Sequence, residues 1–465
     1  MENTPTHQIQ HAVAVVGGAT AGAEVSGYLA ERGCYVAVFE QNPRPYGKIE
    51  DGLPRWHVKL RRQEFAKIDA HLSHPNVDFV PLTRIGRDLD FMELVNDWGF
   101  DAVVLACGAW RDRPLPLPDA EQYVGRGLAY QNPFIYWFNH HEEAAYNGPE
   151  CAAPDGSLVI GGGLASLDVA KVLVFEPGMQ ALAEHGVSVD VESIEHAGFP
   201  KLLQRHGLSW ETLGLRGSTL LYRRRMEDMP VVDMPEGLDE KKRTKIEAAR
   251  RRLVEKAMEK YGFNVLPLRQ PEALLVEDGR VVGLRLRVMR PLGDRKVEPT
   301  QSVEDHRAPL VVSSIGSIPE PIAGLPMVKE LFDFEDPDVG RLRGFSNVFA
   351  VGNVVTGRGN IVASRRHAAQ ISEQIAAAYL GVAAPEDGAA EARPQHATAD
   401  DEVTLVAEHK AHAVSRAVDK TLRSQSPVAR TSLSSARAQV ASRQRAVGYP
   451  GDYHTWIQQV WERLS

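Results

Sequence analysis

Only three cysteines, Cys34, Cys107 and Cys151, occur in 465 residues, and no two of them form a C-x-x-C pair or a metal-ligand spacing. That argues against a zinc site, a redox-active C-x-x-C disulfide and an internal iron–sulfur cluster. Long apolar runs are also lacking: nothing approaches the roughly eighteen residues of a membrane span. Positive charge falls short of negative, 53 Lys+Arg against 61 Asp+Glu, for a formal charge of -8. Such a balance offers no long-range attraction for nucleic acid or an anionic membrane, so any basic docking face must be local. Residues 1–10 are polar, without an apolar stretch or an Arg-rich pattern. A soluble, cytoplasmic protein is expected.

What is present is length and apolar content. At 465 residues and 43% hydrophobic composition, the chain has enough material for two or three domains and can bury a large cofactor. Ala12 to Val16 is a short apolar run ending in Gly17-Gly18-Ala19-Thr20-Ala21-Gly22. A helical pattern follows to Arg32, closed by Gly33, and a second apolar run, Tyr35 to Phe39, ends at Glu40. The same plan returns at Leu158-Val159-Ile160, Gly161 to Ser166, and an apolar helix from Leu167 to Phe175. After a largely helical insertion, Ser218 to Tyr222 reads as a strand running into Arg223-Arg224-Arg225, and Lys241 to Lys260 as a charged helix. Alternation from Val276 to Val288 and the run Leu310 to Ser314 read as closing strands, and Val348 to Val351 opens into Gly352-Asn353. Residues 383–402 are rich in alanine, proline and acid, as a linker is, and a polar helical tail is expected over 403–465.

A dinucleotide pyrophosphate needs a glycine where the chain turns, little side chain where the phosphates approach, and N–H groups at a helix start. Gly17, Ala19 and Gly22 fill those positions, with alanine replacing the middle glycine. Glu40, eighteen residues past Gly22, stands where a carboxylate accepts adenosine ribose hydroxyls and repels a 2′-phosphate. Taken alone, such a turn could merely close a strand–helix contact. A second copy weighs against that. There Gly161 and Gly163 are kept, and Ser166 is small enough for helix and strand to pack closely. Where the first copy has Glu40, the second has arginines whose guanidinium forks suit a phosphate, favouring NADPH over NADH. An arginine cluster elsewhere would be ordinary solvated surface.

These motifs resemble the adrenodoxin reductase-type ferredoxin–NADP reductases and the related small subunit of glutamate synthase. The resemblance runs from about Ala12 to Leu380 and rests on VAVVGGATAG, PYGKIEDGLPRWHVK (45–59), IGGGLASLDVAKVL (160–173), LYRRR (221–225) and VFAVGNVVTGRGNI (348–361). It implies an α/β fold with two Rossmann-type domains, glutathione reductase-like, the NAD(P)H domain (150–320) inserted in a discontinuous FAD domain (1–125 and 325–382). By similarity, Ala21, Glu40, Lys48 and Ile85 face FAD together with the first turn. Gly352, Asn353, Gly359, Asn360 and Ile361 line its isoalloxazine end. Gly163, Leu164, Ala165 and Ser166 match the NADP turn, and Arg223 with Arg224 the 2′-phosphate pair. His57 matches a histidine that the family places near the flavin; a lone histidine is otherwise more often structural. Cys107 is most simply a small apolar filler. Asn353 departs from the Asp or Trp of many relatives, and the Cys-rich N-terminal domain of the glutamate synthase subunit is absent.

The implied reaction is hydride transfer between NADPH and FAD, with electrons passing to a separate ferredoxin or other iron–sulfur carrier. Residues 241–260 carry nine Lys/Arg against three Glu, and residues 404–465 nine against four acids. Arg250, Arg251 and Arg252 are therefore candidate docking residues for an acidic ferredoxin, an ordinary solvated helix being the plain alternative. Two other readings stay open: a reductase acting directly on a small organic substrate, and a non-catalytic flavin- and nucleotide-binding redox-sensing subunit.

Overall fold

Strands buried on both faces need apolar side chains on both, so short β-branched runs bounded by glycine form parallel sheets. A computed structural model describes residues 9, 11–144, 146–235, 237–357, 360–382 and 433–464. Its principal strands begin with β1 (Ala12–Val16), β2 (Tyr35–Phe39), β3 (Val77–Val80) and β4 (Ala102–Leu105). Next come β5 (Leu128–Tyr130), β6 (Leu158–Gly161), β7 (Thr219–Tyr222), β8 (Asn264–Pro267) and β9 (Arg269–Glu277). Then follow β10 (Arg280–Gly293), β11 (Lys296–Arg307) and β12 (Val311–Ser314). The last are β13 (Phe334–Asp336), β14 (Arg341–Leu342) and β15 (Val348–Ala350). The helices that bear on function start with α1 (Thr20–Ala30), α2 (Val58–Leu72), α3 (Leu164–Glu184) and α4 (Glu240–Tyr261). Toward the C-terminus lie α5 (Ile361–Gln374), α6 (Leu433–Ala446) and α7 (Tyr453–Leu464).

Two compact units emerge, one of Met1–Ile49, Arg62–Trp110 and Ile318–Ser465, the other of Glu50–Arg61 and Arg111–Ser317. The first unit holds a seven-stranded sheet in the order β13-β14-β15-β4-β1-β2-β3. From β15 to β3 every pairing is parallel, with Val13 opposite both Val36 and Ala102. Every residue of β1 is buried, as a central strand demands. Both C-terminal helices belong to this unit. Ala436 and Val440 of α6 join the core, the Gln444 amide donates to the Phe79 carbonyl at 2.9 Å, and the Trp456 indole N–H to the Pro43 carbonyl at 2.7 Å.

In the second unit a five-stranded parallel sheet runs β5-β12-β6-β7-β8, beside an antiparallel sheet β9-β10-β11. Helix α3 is longer than the sequence pattern marks. It starts within the glycine turn and passes Pro177 to Glu184, because a single missing N–H is tolerated where the helix is packed along its length. The stretch 276–288 is the end of β9 and most of β10. Asp239 caps α4 through the Lys242 N–H, and Gly262, with φ of 83°, ends it. The expected linker over 383–402 and the tail as far as residue 432 lie outside the described residues, as does Gly359. Among the described residues, no helix is long and apolar enough to cross a membrane.

Candidate dinucleotide-binding sites

Parallel strands all end at one edge of their sheet, and ligands bind outside that edge where the strand order reverses. In the first unit the reversal lies between β1 and β4, and the first turn sits there. Gly17 has φ of 101°, and a Cβ on it would stand 2.7 Å from the Ala106 carbonyl oxygen. Any side chain on Gly22 would overlap the Gly17 carbonyl oxygen. Both glycines therefore let α1 start directly over the strand end. Ala19 takes the N-cap position without a side-chain cap, and no acidic residue occupies the first turn of α1. The early N–H groups are thus left for an anion.

Glu40 is 5% exposed, and its two oxygens accept the Gly18 and Asn42 N–H groups, each at 2.9 Å. A carboxylate oxygen has two lone pairs and can accept hydrogen bonds from hydroxyl groups as well as from backbone N–H groups. Pro45 and Gly47 press on the same turn: a Cβ on Gly18 would meet Pro45 at 2.8 Å, and one on Gly47 would meet Ala19 at 2.9 Å. Lys48 begins a short helix with its ammonium 5.7 Å from the Trp110 ring centre. Gly352 also converges here, since its own Cβ would lie 2.8 Å from that of Ala21. Its N–H donates to His367 Nδ1 at 3.0 Å. Burial holds the His367 pKa down, which keeps that nitrogen an acceptor. The Asn353 carboxamide oxygen is buried with no hydrogen-bond partner among the described residues. Asn360 caps α5, accepting the Val362 and Ala363 N–H groups, and Ile361 is the first residue of that helix. Ile85 is buried and bridged to Leu89. Burial lifts the Cys107 thiol to about 12, so it is no thiolate at neutral pH.

The second turn follows β6. A side chain on Gly161 would run into Ser166 and the Ser314 carbonyl, whereas one on Gly163 would meet nothing within 4 Å. Gly161 thus serves packing. Gly163 keeps open space at the start of a 21-residue helix. Leu164 and Ala165 are exposed in its first turn. Ser166 turns inward: its hydroxyl bonds to Ser314 and its N–H to the Gly163 carbonyl. It ties α3 to β12. Past β7, Arg225 pairs with Asp228 through both Nε and Nη2, at 3.0 and 2.9 Å. Arg223 and Arg224 instead line a cavity of about 510 Å³.

His57 lies in the second unit, just before α2, with Nε2 buried, without a hydrogen bond among the described residues and 3.9 Å from Asp168 Oδ1. Lys171, one turn along α3, donates to the same Asp168 oxygen at 3.2 Å, its ammonium 4.6 Å from the Tyr261 ring and 5.3 Å from Trp56. Burial works to raise the Asp168 carboxyl, but the charge of Lys171, followed by His57, outweighs it and holds the pKa below the usual range. Sequence reasoning missed Asp168 and Lys171. Their signal was an i,i+3 charged pair inside the otherwise apolar run Leu167 to Phe175. Asp168→Asn leaves Lys171 without its counter-charge and is expected to cost about 3 kcal/mol of stability at pH 7, measured by urea denaturation. The folded-state pKa is depressed, so this stability exists above the unfolded pKa and is lost as pH falls through the folded one. The gap between wild type and variant should therefore shrink below the ordinary carboxylate range. A constant gap would mean that ionisation is not its source.

The structure corrects one docking assignment. Arg250 is only 2% exposed, with Nε and Nη2 on the Val232 carbonyl, so it faces the interior of its unit. An α-helix turns 100° per residue, which places one member of Arg250-Arg251-Arg252 inward. Arg251 is exposed but paired with Glu227 and Glu255. Arg252 is exposed, with no ion pair among the described residues.

Two parallel sheets, each carrying a glycine turn at its strand ends, define an α/β, glutathione reductase-like fold of two units. No protein-family model matches the chain. It is 25% identical over 361 residues to the mitochondrial NADPH:adrenodoxin oxidoreductase of Arabidopsis thaliana, covering 71% of this chain and 72% of that one. It is also 25% identical over 406 residues to NADPH-ferredoxin reductase FprA of Mycobacterium leprae, covering 78% and 82%. Among solved structures, Mycobacterium tuberculosis FprA in complex with NADPH superposes with a TM-score of 0.63 at 18% identity, over 94% of this chain and 90% of that one. Over most of its length the chain is thus similar to NADPH-dependent adrenodoxin and ferredoxin reductases.

Proposed function

We propose that the chain moves hydride between NADPH and FAD and exchanges electrons with a ferredoxin-type iron–sulfur protein. The observation that carries this reading is the pairing of two dinucleotide turns with opposite strand-end chemistry, Glu40 in one unit and Arg223 with Arg224 in the other. FAD, when bound, supplies the conversion of a two-electron hydride into single electrons for such an acceptor. The chain's own residues fit that group: Gly17 and Gly22 admit a pyrophosphate, uncapped N–H groups of α1 hold its charge, and Glu40 takes the adenosine ribose. Lys48, Ile85 and Asn353 flank the rest. In the second unit, Gly163 leaves room for the NADP pyrophosphate at the start of α3. His57, whose Nε2 lies 3.9 Å from the Asp168 carboxylate, is the residue that would hold or move a proton.

Purified protein should be yellow, release FAD on denaturation, bleach on NADPH addition, and reduce cytochrome c only when ferredoxin is added. A colourless preparation that FAD does not reconstitute would sink the reading. Cytochrome reduction that ignores ferredoxin would move it to a direct reductase.

For docking, the exposed basic face of α4 fits an acidic ferredoxin, centred on Arg252 and Lys256 one turn apart. Reversing both to Glu is expected to lower the ferredoxin association rate about tenfold at low salt and flatten its salt dependence. Stopped-flow traces should leave NADPH-driven flavin reduction as it was. An unchanged rate with ferredoxin would place docking elsewhere, on α6 or α7 for instance.

A further inference from the structure

The cavity that Arg223 and Arg224 line is also lined by a β-hairpin that no sequence motif marks. Strands β10 and β11 pair antiparallel with Gly293 opposite Lys296, so Asp294 and Arg295 form a two-residue turn. Arg295 and Lys296 both line the cavity, beside apolar Met289 and Leu292. Among the described residues, four cationic side chains and no acidic one thus face a single space of about 510 Å³. That is a charge imbalance in want of an anion.

Three further observations aim the hairpin at this space. Arg295 Nε is buried with no hydrogen-bond partner among the described residues. Buried Arg250 also has a nitrogen, Nη1, without a hydrogen-bond partner among the described residues. Burial, and next the charge of Arg295, depress the Arg250 pKa, and the more weakly acting Tyr222, Asp228 and Glu247 do not offset them, so the Arg250 and Arg295 guanidinium groups lie near enough to repel each other. The turn itself is held in place. Asp294 pairs with Arg243 of α4 at 3.0 Å. The Met289 N–H donates to the Leu268 carbonyl and the Leu268 N–H to the Arg224 carbonyl, at 2.9 and 3.0 Å. A short chain of backbone bonds therefore fixes the hairpin relative to Arg224.

Asp294 and Arg295 both have positive φ, 43° and 59°. This is the conformation in which a two-residue hairpin turn favours glycine, above all at its second position. An arginine is kept there at a conformational cost. Such a cost is consistent with a side chain retained for binding.

We propose that Arg295, with Lys296, forms the second wall of a site for a phosphate monoester dianion, the 2′-phosphate of NADPH, facing Arg223 and Arg224 across the cavity. This rests on the NADPH reading given above. The hairpin makes the coenzyme preference depend on two separate segments, the end of β7 and the turn between β10 and β11.

Arg295→Gly suits the turn, so loss of binding in that variant does not report a broken hairpin. Calorimetry on the holoenzyme with 2′-AMP, 5′-AMP and inorganic phosphate would compare wild type, Arg295→Gly with Lys296→Ala, and Arg223→Ala with Arg224→Ala. The hairpin variant should bind 2′-AMP and NADPH roughly tenfold more weakly, and 5′-AMP and NADH within about twofold. If 2′-AMP binding falls in the β7 variant but not in the hairpin variant, the inference is wrong and the coenzyme reading stands. If it falls in neither, both are wrong. An equal loss for 5′-AMP would make the hairpin structural, and a loss confined to inorganic phosphate would make the cavity a free-phosphate site; either overturns the proposal.

Discussion

Replacing Arg223 and Arg224 together by alanine is expected to lower the preference for NADPH over NADH on the order of a hundredfold. Each charge-assisted contact to a phosphate contributes about 1.5 to 3 kcal/mol. Arg223 is exposed and Arg224 half-buried, which puts each nearer the low end because water screens it. Two such losses sum to about 3 kcal/mol, or a hundredfold. NADH has only a hydroxyl at that position, so its KM should barely move. Arg225 provides the internal control. Its guanidinium is held by Asp228, so Arg225→Ala should lower stability rather than discriminate between coenzymes. Steady-state kinetics with both coenzymes decide it. A wild type that already favours NADH, or a double variant that keeps its NADPH preference, would reduce the arginine run to a solvated strand end.

How much of this could be read without coordinates follows from the range of the interactions involved. β1, β2 and the two glycine turns were legible because their signals are local: five consecutive apolar residues, then small residues at fixed spacing, then a charged strand end. Helix α4 was legible from its charges and end residues, but which of its arginines turns inward was not. Arg250 is buried because the Val232 carbonyl lies eighteen residues earlier in the chain and needs a donor, and no periodicity of α4 carries that information. Asp168 and Lys171 were hidden for a similar reason. Their partners His57, Trp56 and Tyr261 come from segments about one hundred residues away on either side. Ser166 was legible as a small residue, yet its inward hydroxyl depends on Ser314, 148 residues on. The hairpin carrying Arg295 went unnoticed because a Gly-Asp-Arg-Lys turn matches no glycine motif, and its significance lies in what faces it.

Gly22→Ala should leave the protein folded but colourless. The added methyl group would overlap the Gly17 carbonyl oxygen and lie 2.9 Å from its carbon. Neither atom can swing aside as a flexible side chain would, because Gly17 is bonded through its N–H to the Phe39 carbonyl at 2.8 Å. Helix α1 must therefore move off the end of β1. Overpacking of this kind costs about 1 to 3 kcal/mol, against a total stability of roughly 5 to 15 kcal/mol, so a lowered Tm with a native circular dichroism spectrum is expected. The cofactor has less tolerance. Its pyrophosphate depends on the N–H groups of the first turn of α1, and two misaligned charge-assisted hydrogen bonds at about 1.5 to 3 kcal/mol each amount to on the order of a thousandfold in affinity. Gly163→Ala in the second unit is the matched comparison. Its new methyl group meets no protein atom within 4 Å, so Tm and flavin content should stay at wild-type values while NADPH binds more weakly. Flavin content after gel filtration, Tm and NADPH affinity separate the two variants, and a Gly22→Ala protein that keeps its FAD through gel filtration would mean that close approach at this turn is not what holds the cofactor.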